Sequence, residues 1–139
     1  MVTNKKLGNK FEEELSQILF DHGFWVHRFQ QNDAGQPADI IAVKNGTPYL
    51  IDCKVCSTRT GFRFRRVEDN QELAMFMWKS RGNGTGWFAL KTQSGDICML
   101  SFDDIYMLRK QKVAMKEDEI KSFCLTINEW IGFYERHGC

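Results

Sequence analysis

The chain lacks any apolar run approaching the length of a membrane span, any low-complexity stretch and any internal repeat. A spanning helix needs about 20 consecutive apolar residues, so no transmembrane segment is expected. The opening MVTNKKLGNK is polar and leads into an amphipathic pattern, unlike the apolar centre of a secretory signal. Net charge is also nearly absent, at +1, so bulk electrostatics gives no argument for a nucleic-acid partner. Histidines are few, and His22, His27 and His137 show no metal-ligand spacing; they read as surface or packing residues. The cysteines number five, an odd count in a chain not marked as secreted, which argues against a disulfide framework. Cys53 and Cys56 form a C-x-x-C, but no second ligand pair stands at zinc spacing. A redox pair would open a helix, whereas these two lie in an expected strand with their thiols on opposite faces. What remains is one ordinary domain over residues 1–139, with 42% hydrophobic and 13% aromatic residues, enough for a core. Its expected place is the cytoplasm.

Phe11, Leu15, Ile18 and Leu19 recur at helical spacing and predict a helix over 5–22, stopped at Gly23. FWVHRF (24–29) reads as a strand and QQNDAGQP (30–37) as a turn-rich loop. ADIIAVK (38–44) and TPYLIDCKVC (47–56) read as two strands joined by the hairpin signal Asn45-Gly46. STRTGFRFRR (57–66) is expected as a loop or short extended arm, and residues 68–82 as a helix ending at glycine. GNGTG (82–86) is a turn, without the Lys-Ser/Thr of a phosphate-binding loop. WFALKT (87–92) and DICMLS (96–101) are further strands, and a helix starts at 102–110. The tail carries Ile120, Phe123, Ile127, Trp130, Ile131 and Tyr134 at helical spacing. This order implies a mixed α/β domain with a central sheet. Trp25, Trp78, Trp87 and Trp130 are expected in the core or at an interface.

The chemistry centres on IDCKV, residues 51–55. Positions i and i+2 of a strand share a face, so Asp52 and Lys54 project together. Taken alone, Asp-x-Lys is usually a solvated face. Asp39 changes that reading, because the Asn45-Gly46 turn lies about midway between 39 and 52 and a hairpin folded there brings the two aspartates together. Close carboxylates repel unless a cation compensates, and a hard divalent ion with oxygen ligands does so. A nearby lysine can orient or deprotonate a water, or stabilise a developing negative charge. GNKFEEEL places Glu12 beside the apolar stripe of the first helix, within reach of the sheet edge. These residues make a plausible site for metal-assisted phosphodiester hydrolysis.

Basic residues are clustered rather than abundant. Lys5, Lys6 and Lys10 stand near the start; Arg59, Arg63, Arg65 and Arg66 interleave with Phe62 and Phe64. On an extended arm this alternation puts arginines on one face, suited to a phosphate backbone, and phenylalanines on the other. The plainer reading is an amphipathic edge strand. Arg28 either meets phosphate or caps a strand edge.

Pro37-Ala38-Asp39 followed by Asp52-Cys53-Lys54 resembles the core of the PD-(D/E)xK nuclease superfamily, with one extra residue between proline and aspartate. GNKFEEEL is similar to the first-helix motif of that superfamily's Holliday junction resolvases, the bacterial RecU type and the archaeal Hjc type. There a glycine precedes the acid by four positions, so the match falls on Glu12. FWVHRF with PADII resembles the segment leading into their first catalytic strand. DCKVCSTRTGFRFRRVEDNQ is similar to the RecU-type stretch from the catalytic lysine to a helical glutamine, here Gln71. GWFALKT and DICMLSFDDI resemble the strands and helix that follow. The resemblance covers roughly residues 5–108 and leaves the tail after 110 without a counterpart.

The resemblance implies a restriction-endonuclease-like α/β fold, a central mixed β-sheet flanked by helices. It implies Mg²⁺ dependence with Mn²⁺ as a substitute, a homodimer, and symmetric nicking of branched DNA, the four-way junction. By matched position Asp39 and Asp52 would be metal ligands, and the backbone carbonyl of Cys53 would lie near the metal. Glu12 would bind the metal directly or through water, Lys54 would assist the attacking water, and Gln71 would support the site. The lysine and arginine clusters and Arg28 are then the expected DNA contacts. Asp52 stands where glutamate is also common, and the shorter carboxylate would shift the metal. No stalk-like insertion fits in the sheet, so stalk-based junction recognition is not implied; a short chain of this kind suits a phage or mobile element. The competing expectations are a repair or restriction-type endonuclease on duplex DNA, and a nucleic-acid-binding protein without catalysis.

Overall fold

A computed structural model describes residues 3–30, 35–57 and 59–137. Part of the expected 30–37 loop and Cys139 lie outside the described residues, and so does the side chain of His137. Helix α1 (Asn4–Asp21) is capped by Thr3, whose side chain accepts the Lys6 N–H. Strands β1 (Trp25–Arg28), β2 (Ile40–Lys44) and β3 (Thr47–Val55) form a meander. β4 (Phe62–Arg63), helix α2 (Asp69–Ser80), β5 (Trp87–Lys91) and β6 (Ile97–Ser101) follow. Then come α3 (Phe102–Leu108), β7 (Ala114–Met115), α4 (Glu117–Phe123), β8 (Leu125–Thr126) and α5 (Ile127–His137).

The main sheet has six strands in the order β1-β2-β3-β5-β6-β8, and β4 with β7 makes a separate pair. β3 runs parallel to β5, and the other neighbours in the main sheet are antiparallel. A parallel pair needs a crossover, which α2 supplies. The β2–β3 turn has Asn45 at φ 52° and Gly46 at φ 79°, the left-handed pair that a tight hairpin demands. That turn sets Ile40 opposite Ile51, so Asp39, one residue earlier, faces Asp52. The Asp39 N–H donates to the Ile51 carbonyl at 3.1 Å and continues the ladder past the strand end.

Apolar residues cover both faces of the sheet. Phe11, Leu15 and Leu19 of α1 and Trp130 and Ile131 of α5 pack with Ile40, Ile51 and Ala89. Met75 of α2, Ile105 of α3 and Ile120 of α4 pack with Leu50, Phe88 and Leu90. Cys53 packs with the first group and Cys56 with the second, so the C-x-x-C thiols do face opposite sides. Burial pushes the Cys56 thiol up to about 11, which suits a packing role. α2 lies tight on the start of β5: a Cβ at Gly86 would stand 1.8 Å from the Met75 sulfur. Trp87 and Trp130 are buried, but Trp25 is 63% exposed, because it opens the edge strand β1 and joins neither core group.

The 57–66 segment departs from an alternating arm. Ser57 and Gly61 form a bridge, β4 holds two residues, and Phe64–Arg66 is a 3₁₀ turn. Gly61 has φ +60°, and a Cβ there would meet the Met115 carbonyl oxygen at 2.1 Å, so the chain bends hard against β7. The bend ends the alternation at Arg63. Arg59 and Arg65 are exposed, whereas Arg66 turns inward and donates to the Val55 carbonyl at 2.8 Å. The tail holds two helices rather than one: Cys124 is extended, and Leu125 pairs with Met99 on the sheet edge. Among the described residues no helix is long and apolar enough to cross a membrane.

Candidate active site

β3 presents Asp52 and Lys54 to the first turn of α2. Asp52 is fully buried, and its Oδ1 accepts a hydrogen bond from Gln71 Nε2 at 3.0 Å. Gln71 Oε1 accepts from Lys54 Nζ at 3.2 Å and from the Glu68 N–H at 3.1 Å. The same glutamine therefore caps its helix and joins the acid to the lysine. Gln71 is buried, although an exposed helical position would have been its ordinary reading. Asp39 has both oxygens engaged: Oδ2 accepts the Cys53 N–H at 2.7 Å and Oδ1 accepts Gln36 Nε2 at 3.2 Å. Glu12 projects from α1 at the sheet edge, buried, with Arg28 Nη2 at 3.6 Å from its Oε1.

One oxygen is poorly served. Lys54 Nζ stands 3.2 Å from Asp52 Oδ2, yet that atom is buried and has no hydrogen bond of adequate geometry. The contact is an ion pair by distance. Burial, and then the neighbouring Asp39, hold the Asp52 carboxyl well above the usual range despite Lys54. Burial and then Asp39 likewise push Glu12 from its ordinary 4.5 to about 7, against the opposing pull of Arg28. The site thus concentrates more negative charge than Lys54 and Arg28 neutralise. Hard carboxylate oxygens with an orphaned, buried acceptor among them fit a divalent ion such as Mg²⁺ or Mn²⁺ better than a soft metal. Among the described residues no three His, Cys, Asp or Glu side chains converge into one ligand cluster. Asp39 and Asp52 form the inner pair, and Arg28 holds Glu12 at the margin.

The raised acids carry a stability signature. A carboxyl raised on folding contributes stability that is fully present below its unfolded value and is lost as pH rises through its folded value. For Glu12 that window runs from 4.5 to about 7. In EDTA, Glu12→Gln should therefore melt above wild type at pH 8, with the gap closing by about pH 4.5. Paired thermal melts across that range check it; a gap that does not change with pH would refute the assignment.

Other expected site residues are scattered. Lys6, Lys10, Glu12, Arg28, Phe29 and Gln30 line an open groove beside the acids. Lys5 is exposed on α1. Arg63, Arg65 and Arg66 lie on the bent segment rather than on a common strand face. Sequence reasoning missed Gln36 as a partner of Asp39 and Arg28 as the partner of Glu12. Their only signal was position, one beside Pro37 and the other at the end of a strand.

A mixed sheet flanked by helices, with an acid and a lysine on its central strand and a second acid across the hairpin, is a restriction-endonuclease-like architecture. The chain belongs to the archaeal Holliday junction resolvase (Hjc) family, whose sequence profile matches residues 3–138. That match takes in the tail that the sequence resemblance left without a counterpart. Among solved structures, the chain is similar to Archaeoglobus fulgidus Hjc, a Holliday junction resolvase from an archaeal hyperthermophile. The TM-score is 0.65 at 21% identity, over 90% of this chain and 95% of that one. No curated protein matches the chain.

Proposed function

We propose that this protein is a Mg²⁺-dependent endonuclease that nicks four-way DNA junctions symmetrically as a homodimer. The observation that carries this reading is the buried Asp39–Asp52 pair, coupled through Gln71 to Lys54, in a chain of the Hjc family. Asp39, Asp52 and the Cys53 carbonyl would hold the metal, with Mn²⁺ able to replace Mg²⁺ and Glu12 acting through water. When bound, the ion would stabilise charge on the scissile phosphate and acidify a water. Lys54 orients that water and offsets the developing negative charge. Gln71 fixes the Lys54 ammonium and one Asp52 oxygen, so neither side chain must reorganise during reaction. The groove through Lys6, Lys10 and Arg28 and the exposed Arg59 and Arg65 offer phosphate contacts, with Lys5, Arg63 and Arg66 in supporting positions.

Two symmetric cuts need two sites related by a two-fold axis. We assign the second copy to the outer side of α2 with α3. Leu73, Phe76 and Met77 are exposed at i, i+3 and i+4, and Phe76 meets the Tyr106 ring in a cleft that Met107 and the Lys79–Asp103 ion pair also line. Phe76→Glu combined with Met77→Glu should give a monomer by light scattering and unpaired cuts. A dimer that persists would move the interface elsewhere.

The experiment that tests the whole reading is cleavage of an end-labelled four-way junction and a matched linear duplex, in Mg²⁺ or EDTA. Paired symmetric nicks confined to the junction and abolished by EDTA support it. Equal cutting of both substrates would replace it with a repair or restriction-type endonuclease. Tight junction binding without cleavage would leave a binding protein on a nuclease scaffold.

A further inference from the structure

The first turn of α2 touches the site twice. Gln71 holds Asp52 and Lys54. Its neighbour Asn70 points the other way and donates Nδ2 to the backbone carbonyl of Gln36 at 3.1 Å. Gln36 in turn donates its side-chain amide to Asp39 Oδ1. The approach of loop to helix is close: Gly35 has φ +81°, and a Cβ there would lie 2.7 Å from Asn70 Nδ2. Pro37 follows and restricts Gln36 to extended backbone, which limits the directions its side chain can take. Adjacent residues of one helical turn therefore tie down both aspartates, one directly and one through the loop.

We propose that Gln36 and Asn70 are positioning residues that strap the Gly35–Pro37 loop to α2 and so set the spacing between Asp39 and Asp52. The inference rests on the reading of those aspartates as the metal-holding pair. The strap acts on Asp39 as an outer hydrogen-bonding layer acts on any ligand. It fixes the carboxylate's orientation before the ion arrives, so less order must be created on binding. Without the Gln36 amide, Oδ1 of Asp39 loses its donor and Oδ2 is held by the Cys53 N–H, so the carboxylate is less firmly oriented.

The test is Mg²⁺ affinity of the full chain by titration calorimetry, with melting in EDTA as the control for fold. Gln36→Ala and Asn70→Ala should each weaken Mg²⁺ binding by about tenfold. Their metal-free melting temperatures should stay within about 2 °C of wild type. Asn70→Asp separates positioning from charge. An added acid near the site would by itself tighten cation binding, but it cannot donate to the Gln36 carbonyl, so the strap requires weaker binding here too. Unchanged affinity in Asn70→Ala, against a loss in Asp39→Asn, overturns the strap alone. Unchanged affinity in all of these variants overturns the metal pair and the strap with it.

Discussion

Lys54→Ala is expected to slow junction cleavage by about 10²–10⁴-fold, the range a positioned acid–base group supplies. Junction binding should stay within about threefold, since only one cationic group is lost from a surface that meets many phosphates. The structure explains why the split should be clean. The Lys54 side chain is 11% exposed and its Nζ is committed to Gln71 and Asp52, so it is placed for chemistry rather than for holding a duplex. Removing it leaves Asp52 buried beside Asp39 with no cation. That would be severe if the carboxyl had to stay ionised, but burial and Asp39 already raise it, so it can take up a proton instead. Protonation caps the penalty, and the variant should fold. Circular dichroism and gel-shift titration beside the cleavage assay check both halves. Normal cleavage by Lys54→Ala would refute the active-site assignment.

Asp52→Asn should have the second largest effect, and in two opposite directions. Cleavage should fall by more than about a hundredfold, beyond what loss of an outer-layer partner costs. Metal-free stability should rise. Burial and Asp39 raise the Asp52 carboxyl on folding, so its contribution is present below the unfolded value and is lost as pH increases. A neutral amide of the same shape escapes that loss and still accepts from Gln71. In EDTA at pH 8 the variant should melt several degrees above wild type, at roughly 2–8 °C per kcal/mol for domains of this order. Near pH 4 the two should coincide. Mg²⁺ should reverse the order at pH 8 by stabilising wild type alone. A variant less stable than wild type in EDTA at pH 8 would mean that Asp52 is held as a satisfied ion pair.

The sequence was most readable where local chemistry decides the backbone. Asn45-Gly46 specified the hairpin, and the hairpin's length then put Asp39 opposite Asp52 without any tertiary information. The α1 stripe of Phe11, Leu15 and Leu19 likewise dictated which side of the helix is buried. It was least readable where the partner is distant in sequence. The bend at Gly61 depends on the Met115 backbone, and the break between α4 and α5 depends on pairing with β6. No periodicity within 57–66 or 110–139 encodes either. Gln71 shows the same limit within the site. As a residue type it suited an exposed helical position, and only the β3–β5 crossover turns it toward Asp52. Trp25 marks the reverse case, an aromatic expected in the core or at an interface but exposed on an edge strand in this single chain.

Asp39, Asp52, Lys54 and Gln71 lie on one uninterrupted run of chain, from the residue before β2 to the first turn of α2. Of the acids in the constellation only Glu12 comes from elsewhere. The strand, its hairpin and the helix that crosses over it are thus a cassette, heritable as one short piece of coding sequence. A single recombination could carry the constellation, geometry included, into another sheet, leaving one acid to be acquired separately. The remaining elements meet it through the ladders that β1 and β5 form on its two flanks, through ion pairs such as Lys79–Asp103, and through packing, as Gly86 does against Met75. They are free to diverge as long as they keep the shape of the bed on which the cassette rests.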